Sequence, residues 1–222
     1  MVTRRCIEKG LNLSGHGRPL NWDDIETCLR DLGDELMRRK VGRRTIVIVG
    51  GAFVAHRHLR EATTDVDVAG GIDAAMTEAV AAVADRHGLE ADWLNDRAKP
   101  WLPATFDPAT CRAAFAHGDL EVLLPPVDTV VLMKIAAGGR SANDQRDLRG
   151  LWPDSSFATP TDAVASFYIA YPNEEPDPFL VSWLAGVVGA PGSARPGAGS
   201  PPGSTSHEGD PSAPTPRQRG VR

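Results

Sequence analysis

The stretch Thr45-Ile46-Val47-Ile48-Val49-Gly50-Gly51-Ala52, followed by Thr63-Thr64-Asp65-Val66-Asp67-Val68, decides how this chain reads. The opening residues form a β-branched run that stops at two glycines, which predicts a buried strand entering a glycine turn. A helix over residues 52–59 follows, so its first free N–H groups and the positive end of its dipole face the turn, a position suited to phosphate. The next strand, over residues 64–69, puts Asp65 and Asp67 on one face and Val66 and Val68 on the other. Two carboxylates aimed at one point repel each other and are costly to desolvate unless a cation sits between them. A hard divalent ion such as Mg²⁺, or Mn²⁺, takes oxygen ligands, keeps substrate phosphate in its shell and removes that penalty. Taken singly, Asp-x-Asp is common on solvated strands and a glycine pair is usually only a turn. In this order and spacing they read as a phosphate-and-metal centre.

Gly50-Gly51, the arginine before the acids (Arg60), Thr64 and Asp65-Val66-Asp67 resemble the signature of the nucleotidyltransferase superfamily, the polymerase-β-like fold. Residues 46–152, about half the chain, are more narrowly similar to bacterial nucleotidyltransferase-like toxins of the AbiEii/MenT type. Asp92-Trp93-Leu94-Asn95 supports this, as does Leu132-Met133-Lys134-Ile135 followed by Arg140, Asp144 and Asp147. The resemblance implies a mixed α/β (α+β) fold with a short twisted mixed sheet and a helical carboxy-terminal portion. It also implies an enzyme that moves a nucleoside monophosphate from a nucleoside triphosphate such as ATP to an acceptor hydroxyl, releasing pyrophosphate. By the same resemblance the acceptor is the 3′ end of tRNA, and the protein is the toxin of a toxin–antitoxin pair with a cognate antitoxin. Gly50, Gly51, Thr64, Lys134, Arg140 and Asp144 would then bind the nucleotide, and Lys134 and Asp147 would join the acids in catalysis. Two other readings stand beside it: an enzyme or antitoxin of the same fold that nucleotidylates a protein, and a non-catalytic nucleotide-binding module whose acids are merely solvated.

The downstream residues carry their own physical argument. Residues 127–137 are nearly all apolar, yet Lys134 lies on the Val127, Val130 and Val131 side at helical spacing. A buried ammonium needs an anion, either a nucleotide phosphate or one of the acids, unless its stem snorkels to solvent. Ser141 can cap a helix with Asp144 reaching back to it. Asp147, three residues on, is placed to meet Lys134 or Arg140. Nucleotidyltransferases of this fold place a third carboxylate on a later strand. Here the strand over residues 120–124 ends at Pro125-Pro126 and Glu121 interrupts its apolar run, which makes Glu121 the best candidate for a third metal ligand. Asp119 shares its face but follows His117-Gly118, a turn signal.

The 222 residues divide into a loose amino-terminal segment (1–20), a core (21–126) that includes a helix over residues 22–40, and a helical portion (127–188). A tail (189–222) of seven prolines, seven glycines and five serines carries too little apolar surface to offset the entropy of ordering. No apolar run reads as a signal peptide or a membrane span, which places the chain in the cytoplasm. Cys6, Cys28 and Cys111 are scattered, without metal-ligand or disulfide spacing. The net charge is −5, but residues 36–60 hold seven Arg/Lys and no acid. That segment reads either as an attractor for a phosphate backbone or as a solvated helix end.

Overall fold

Asn21 determines where the first helix begins. Its side chain accepts a hydrogen bond from the Asp24 N–H at 2.8 Å, and the Asp24 carboxylate accepts from the Asn21 N–H at 3.3 Å, a reciprocal capping box that starts α1 (Trp22–Arg39). The helix ends at Lys40, whose φ of 56° puts the C-cap in the left-handed region. Ile25, Cys28, Leu29, Leu32 and Leu36 make the buried stripe expected of it. The computed structural model describes residues 18–138 and 141–189. The expectations for Arg140, for Cys6 and for nearly all of the terminal segments fall outside those residues. Leu20 is an exception: it is fully buried and pairs with Thr63 through backbone hydrogen bonds of 2.7 and 2.9 Å, so the loose segment ends before it.

After α1 come β1 (Arg44–Val47), α2 (Gly50–His56), β2 (Val66–Asp67), α3 (Ala74–His87), β3 (Leu94–Asn95), β4 (Arg112–His117) and β5 (Leu120–Leu124). Four helices follow: α4 (Val127–Ala136), α5 (Ala142–Leu151), α6 (Pro160–Ala170) and α7 (Leu180–Val188). The class is mixed α/β, with seven α-helices among the described residues and a small mixed sheet. β1 lies between elements, parallel to β5, which in turn pairs antiparallel with β4. On its other side an antiparallel Ile48–Val68 bridge joins it to the parallel pair β2–β3, reinforced by Val49 N–H to Asp67 C=O and Ala69 N–H to Val47 C=O. The strand expected over residues 64–69 is only two residues long because Val66 and Asp67 alone find ladder partners, in Leu94 and Asn95.

The two faces of this sheet differ. Ile46, Ile48, Val66, Val68, Leu120, Val122 and Leu124 are buried in the main core together with the stripe of α1 and with Val80 and Val83 of α3. Alternation sends Thr45, Val47, Asp67, Glu121 and Leu123 to the opposite face. There Val49, Ala98 and Met133 form a second, small apolar cluster beneath the site described below. No described helix is long and apolar enough to cross a membrane.

The packing of α1 on the sheet rests on a close approach of backbones. A Cβ on Gly33 would overlap the His117 carbonyl oxygen, and one on Gly118, at φ 54°, would lie 2.5 Å from the Gly33 carbonyl. Asp119 N–H completes the contact by donating to Gly33 C=O at 3.1 Å. Alanine is favoured over glycine inside a helix by about 1 kcal/mol. Gly33→Ala nonetheless has to push a backbone aside, so we expect net destabilisation of about 2 kcal/mol and a fall in Tm of roughly 5 °C. A Gly33→Ala variant that melts at or above the parent temperature would refute this contact.

Candidate functional site

The paired glycines serve two different neighbours. Gly50 adopts φ 61°, and a Cβ on it would come 2.6 Å from Asp67 Oδ2, so the first residue of α2 and the strand acid share a space only glycine leaves free. Gly51 is buried, and a Cβ there would meet Thr63 Oγ1 at 2.6 Å and an Arg60 guanidinium nitrogen at 2.7 Å. Only Gly50 of the pair lines the cavity of about 310 Å³ that opens beside Asp67. Lys134 and Asp144 line it too, with Arg97, Ala98 and Trp101 from the loop after β3 and Val130, Met133 and Ala137 from and just beyond α4.

Burial raises the Asp67 carboxyl from the ordinary 3.8 to about 6, and the Asp65 charge pushes the same way, while Lys134 and Arg97 oppose both. The mutual repulsion expected of the Asp-x-Asp pair is therefore present, although Asp65 stands in the bend before β2 rather than on the strand. Thr64 is exposed and does not line the cavity; Thr63 is the threonine packed at the glycine turn.

Lys134 is buried and held by two acids, Asp144 Oδ1 at 2.7 Å and Asp147 Oδ2 at 2.8 Å. Asp147, only 1% exposed, also receives Arg60 through a bidentate pair at 2.5 and 3.2 Å. Of the partners expected for Lys134, the acids are the ones that meet it. Asp147 is enclosed by two cations and does not line the cavity; it holds Lys134 and Arg60 in place. Asp144 does face the cavity. Burial pushes its carboxyl up, but hydrogen bonds from Lys134 and Ser141 outweigh that and hold it below the usual range. Ser141 caps α5 as expected, accepting from Asp144 N–H at 3.1 Å.

Neither candidate third acid reaches this place. Glu121 is opposite Thr45 in the β1–β5 register, accepts from Thr45 Oγ1 at 3.1 Å and pairs with Arg43 at 3.4 Å. Asp67 is bonded to Val49, four residues further along β1, so Glu121 shares the face but lies about 13 Å down the strand. The β5 side chain nearer the site on that face is Leu123. Asp119 sits in the β4–β5 turn, where its carbonyl accepts from Arg44 N–H. Among the described residues no group of three or more His, Cys, Asp or Glu is arranged around a metal position.

The basic segment is largely paired within the chain. Six of its seven cations are already paired: Arg38 and Arg39 with Glu35, Arg43 with Glu121, Arg44 with Asp73, Arg57 with Asp154 and Arg60 with Asp147. Arg97 and Trp101 went unrecognised in the sequence because residues 96–106 carry no periodicity. Their one signal is a tryptophan beside a proline in a polar loop. No protein family, curated protein or solved structure matches this chain.

Three outcomes follow. Because the folded-state pKa of Asp67 lies above its unfolded value, the stability present below about pH 4 is lost as pH rises through about 6. Asp67→Asn removes that loss: without metal, the variant is more stable than the parent above pH 6, by up to roughly 3 kcal/mol, and the gap closes below pH 4. Melting curves across pH 3.5 to 8 measure it, and parallel profiles would sink the assignment. Asp147→Ala strands two cations in a buried setting and costs about 3 kcal/mol or more in urea unfolding. Glu121→Ala breaks a surface pair with Arg43 and an exposed hydrogen bond from Thr45, and costs about 1 kcal/mol.

Proposed function

We propose that this chain is a nucleotidyltransferase, with the nucleoside triphosphate bound in the Asp67 cavity. One observation carries the reading: Gly50, Asp67 and Lys134 line one cavity, with the missing side chain of Gly50 leaving room for the carboxylate. An acid and a buried lysine at one cavity, beside the glycine that opens a short helix, support a triphosphate with its counter-ion as the ligand. The finer assignment of the fold, to the nucleotidyltransferase type, belongs to the same reading. It is supported by the order strand, glycine turn, helix, acid-bearing strand.

Asp65 and Asp67 fit a divalent cation of the Mg²⁺ or Mn²⁺ kind, since such an ion is commonly held by two carboxylates and completed by substrate phosphate and water. When bound, it supplies neutralisation of phosphate charge and alignment of the reacting groups. Lys134 bears on the α-phosphate as negative charge builds, and Asp144 and Asp147 keep its ammonium oriented. An acceptor hydroxyl attacks the α-phosphorus, a new P–O bond forms, the α–β P–O bond breaks, pyrophosphate leaves and the hydroxyl proton passes to water.

For the acceptor, the resemblance favours the 3′ end of tRNA and with it a toxin role, checked by an antitoxin. The neutralised basic segment and the net charge of −5 favour a protein hydroxyl instead. Free Cys28 and Cys111 suit a reducing, cytoplasmic setting for either. Incubation with α-labelled nucleotides, Mg²⁺ and separate tRNA and protein acceptors tests both. We expect transfer to one acceptor, reduced about 10²-fold or more by Asp67→Ala or Asp65→Ala and left within about twofold by Glu121→Gln. Label on protein alone removes the tRNA reading, and no label with any acceptor removes the enzyme. Growth arrest on expression, relieved by Asp67→Ala, is the outcome the toxin role requires.

A further inference from the structure

A second cavity, of about 380 Å³, shares no lining residue with the one beside Asp67. Its size falls within the range of about 300–1,000 Å³ ordinary for small-ligand sites. Arg57, at the end of α2, and Arg112, the first residue of β4, both line it, and Asp154 is the one acid that does. Two guanidinium groups against one carboxylate leave this lining with an excess of positive charge.

Neither arginine is saturated. Arg112 is exposed, and its side chain has no hydrogen bond or ion pair among the described residues. Arg57 reaches Asp154 through Nη2, while its Nε is buried without a hydrogen-bond partner. The charge of both is felt at His56, whose Nδ1 is likewise buried and unpartnered: burial lowers the pKa of this ring, and Arg112 and then Arg57 push the same way. Guanidinium groups with unused donors are suited to an oxyanion, because their planar fork of N–H groups matches phosphate oxygens two at a time. The backbones that carry them are set before any ligand arrives. Arg112 is paired with Leu124, itself in the lining, and the Arg57 N–H donates to Phe53 C=O at 3.3 Å. Such preorganisation lowers the cost of binding.

We propose that this cavity is a second binding site, for a phosphate group held by Arg112 and Arg57, with Asp154 as the internal anion that occupies Arg57 until the ligand arrives. The group is either free, as in pyrophosphate, or carried at the end of a nucleotide. The site is independent of the transfer proposed at Asp67, since none of its residues lines that cavity.

The test is calorimetry on the full chain with inorganic pyrophosphate and with ADP, in EDTA so that no divalent ion draws anions to Asp67. At least one of the two is expected to bind, and the tighter one identifies whether the group arrives free or on a nucleoside. Arg112→Ala should weaken that ligand by about tenfold or more, the loss of a charge-assisted contact. Arg112→Lys, which keeps the charge but not the fork, should recover part of the difference. Asp154→Asn removes the competitor for Arg57 and should tighten binding by about two- to fivefold. These last two variants keep the site testable where Arg112→Ala does not fold. A folded protein that binds neither ligand, binding unaltered by Arg112→Ala or Arg112→Lys, or weaker binding in Asp154→Asn overturns the site and leaves transfer at Asp67 untouched.

Discussion

Asp147 is the constraint around which the site is arranged. One carboxylate, almost wholly withdrawn from water, satisfies Arg60 from the segment before β2 and Lys134 from α4. Taken alone, either cation would be costly to bury, and so would the acid. Together they pin three parts of the chain that are distant in sequence: the turn after α2, the apolar helix α4 and the start of α5. Gly51 belongs to the same arrangement, because its absent side chain leaves the space that Arg60 occupies. The lysine that lines the cavity is thus held by a residue that does not line it.

The sheet explains why Glu121 does not join Asp67 at the cavity. β5 runs alongside the whole of β1, with Glu121 paired to Thr45, whereas the bridge on the β2 side falls beyond the end of β1, between Ile48 and Val68. The side chain β5 presents nearer the cavity is Leu123, and Pro125-Pro126 then turns the chain into α4.

Much of this was legible in the sequence because it depends on local rules. The run ending at Val49, the strand over residues 120–124, the cap at Asn21 and the cap at Ser141 each follow from patterning or hydrogen bonding within a few residues. Lys134 was legible as a buried charge in need of an anion, and Asp147 as one of its partners. What escaped depends on register and tertiary approach. Period-two alternation gave Glu121 the correct face, but nothing local says how far along that face it sits from Asp67. The short β2 was overestimated because strand length is fixed by the partner, here β3. Trp101 has no periodic context, and its place in the cavity comes from Tyr171, seventy positions away.

The paired arginines between residues 38 and 60 have a consequence for kinetics. Electrostatic steering speeds association when unbalanced charge projects a field beyond the surface, and it fades with ionic strength. Here the guanidinium groups lie at contact distance from acids of the same chain, with Glu35 shared by Arg38, Arg39 and Arg86, so their outward field is weakened. A large anionic ligand approaching this segment would therefore be steered less strongly than seven unpaired cations would steer it.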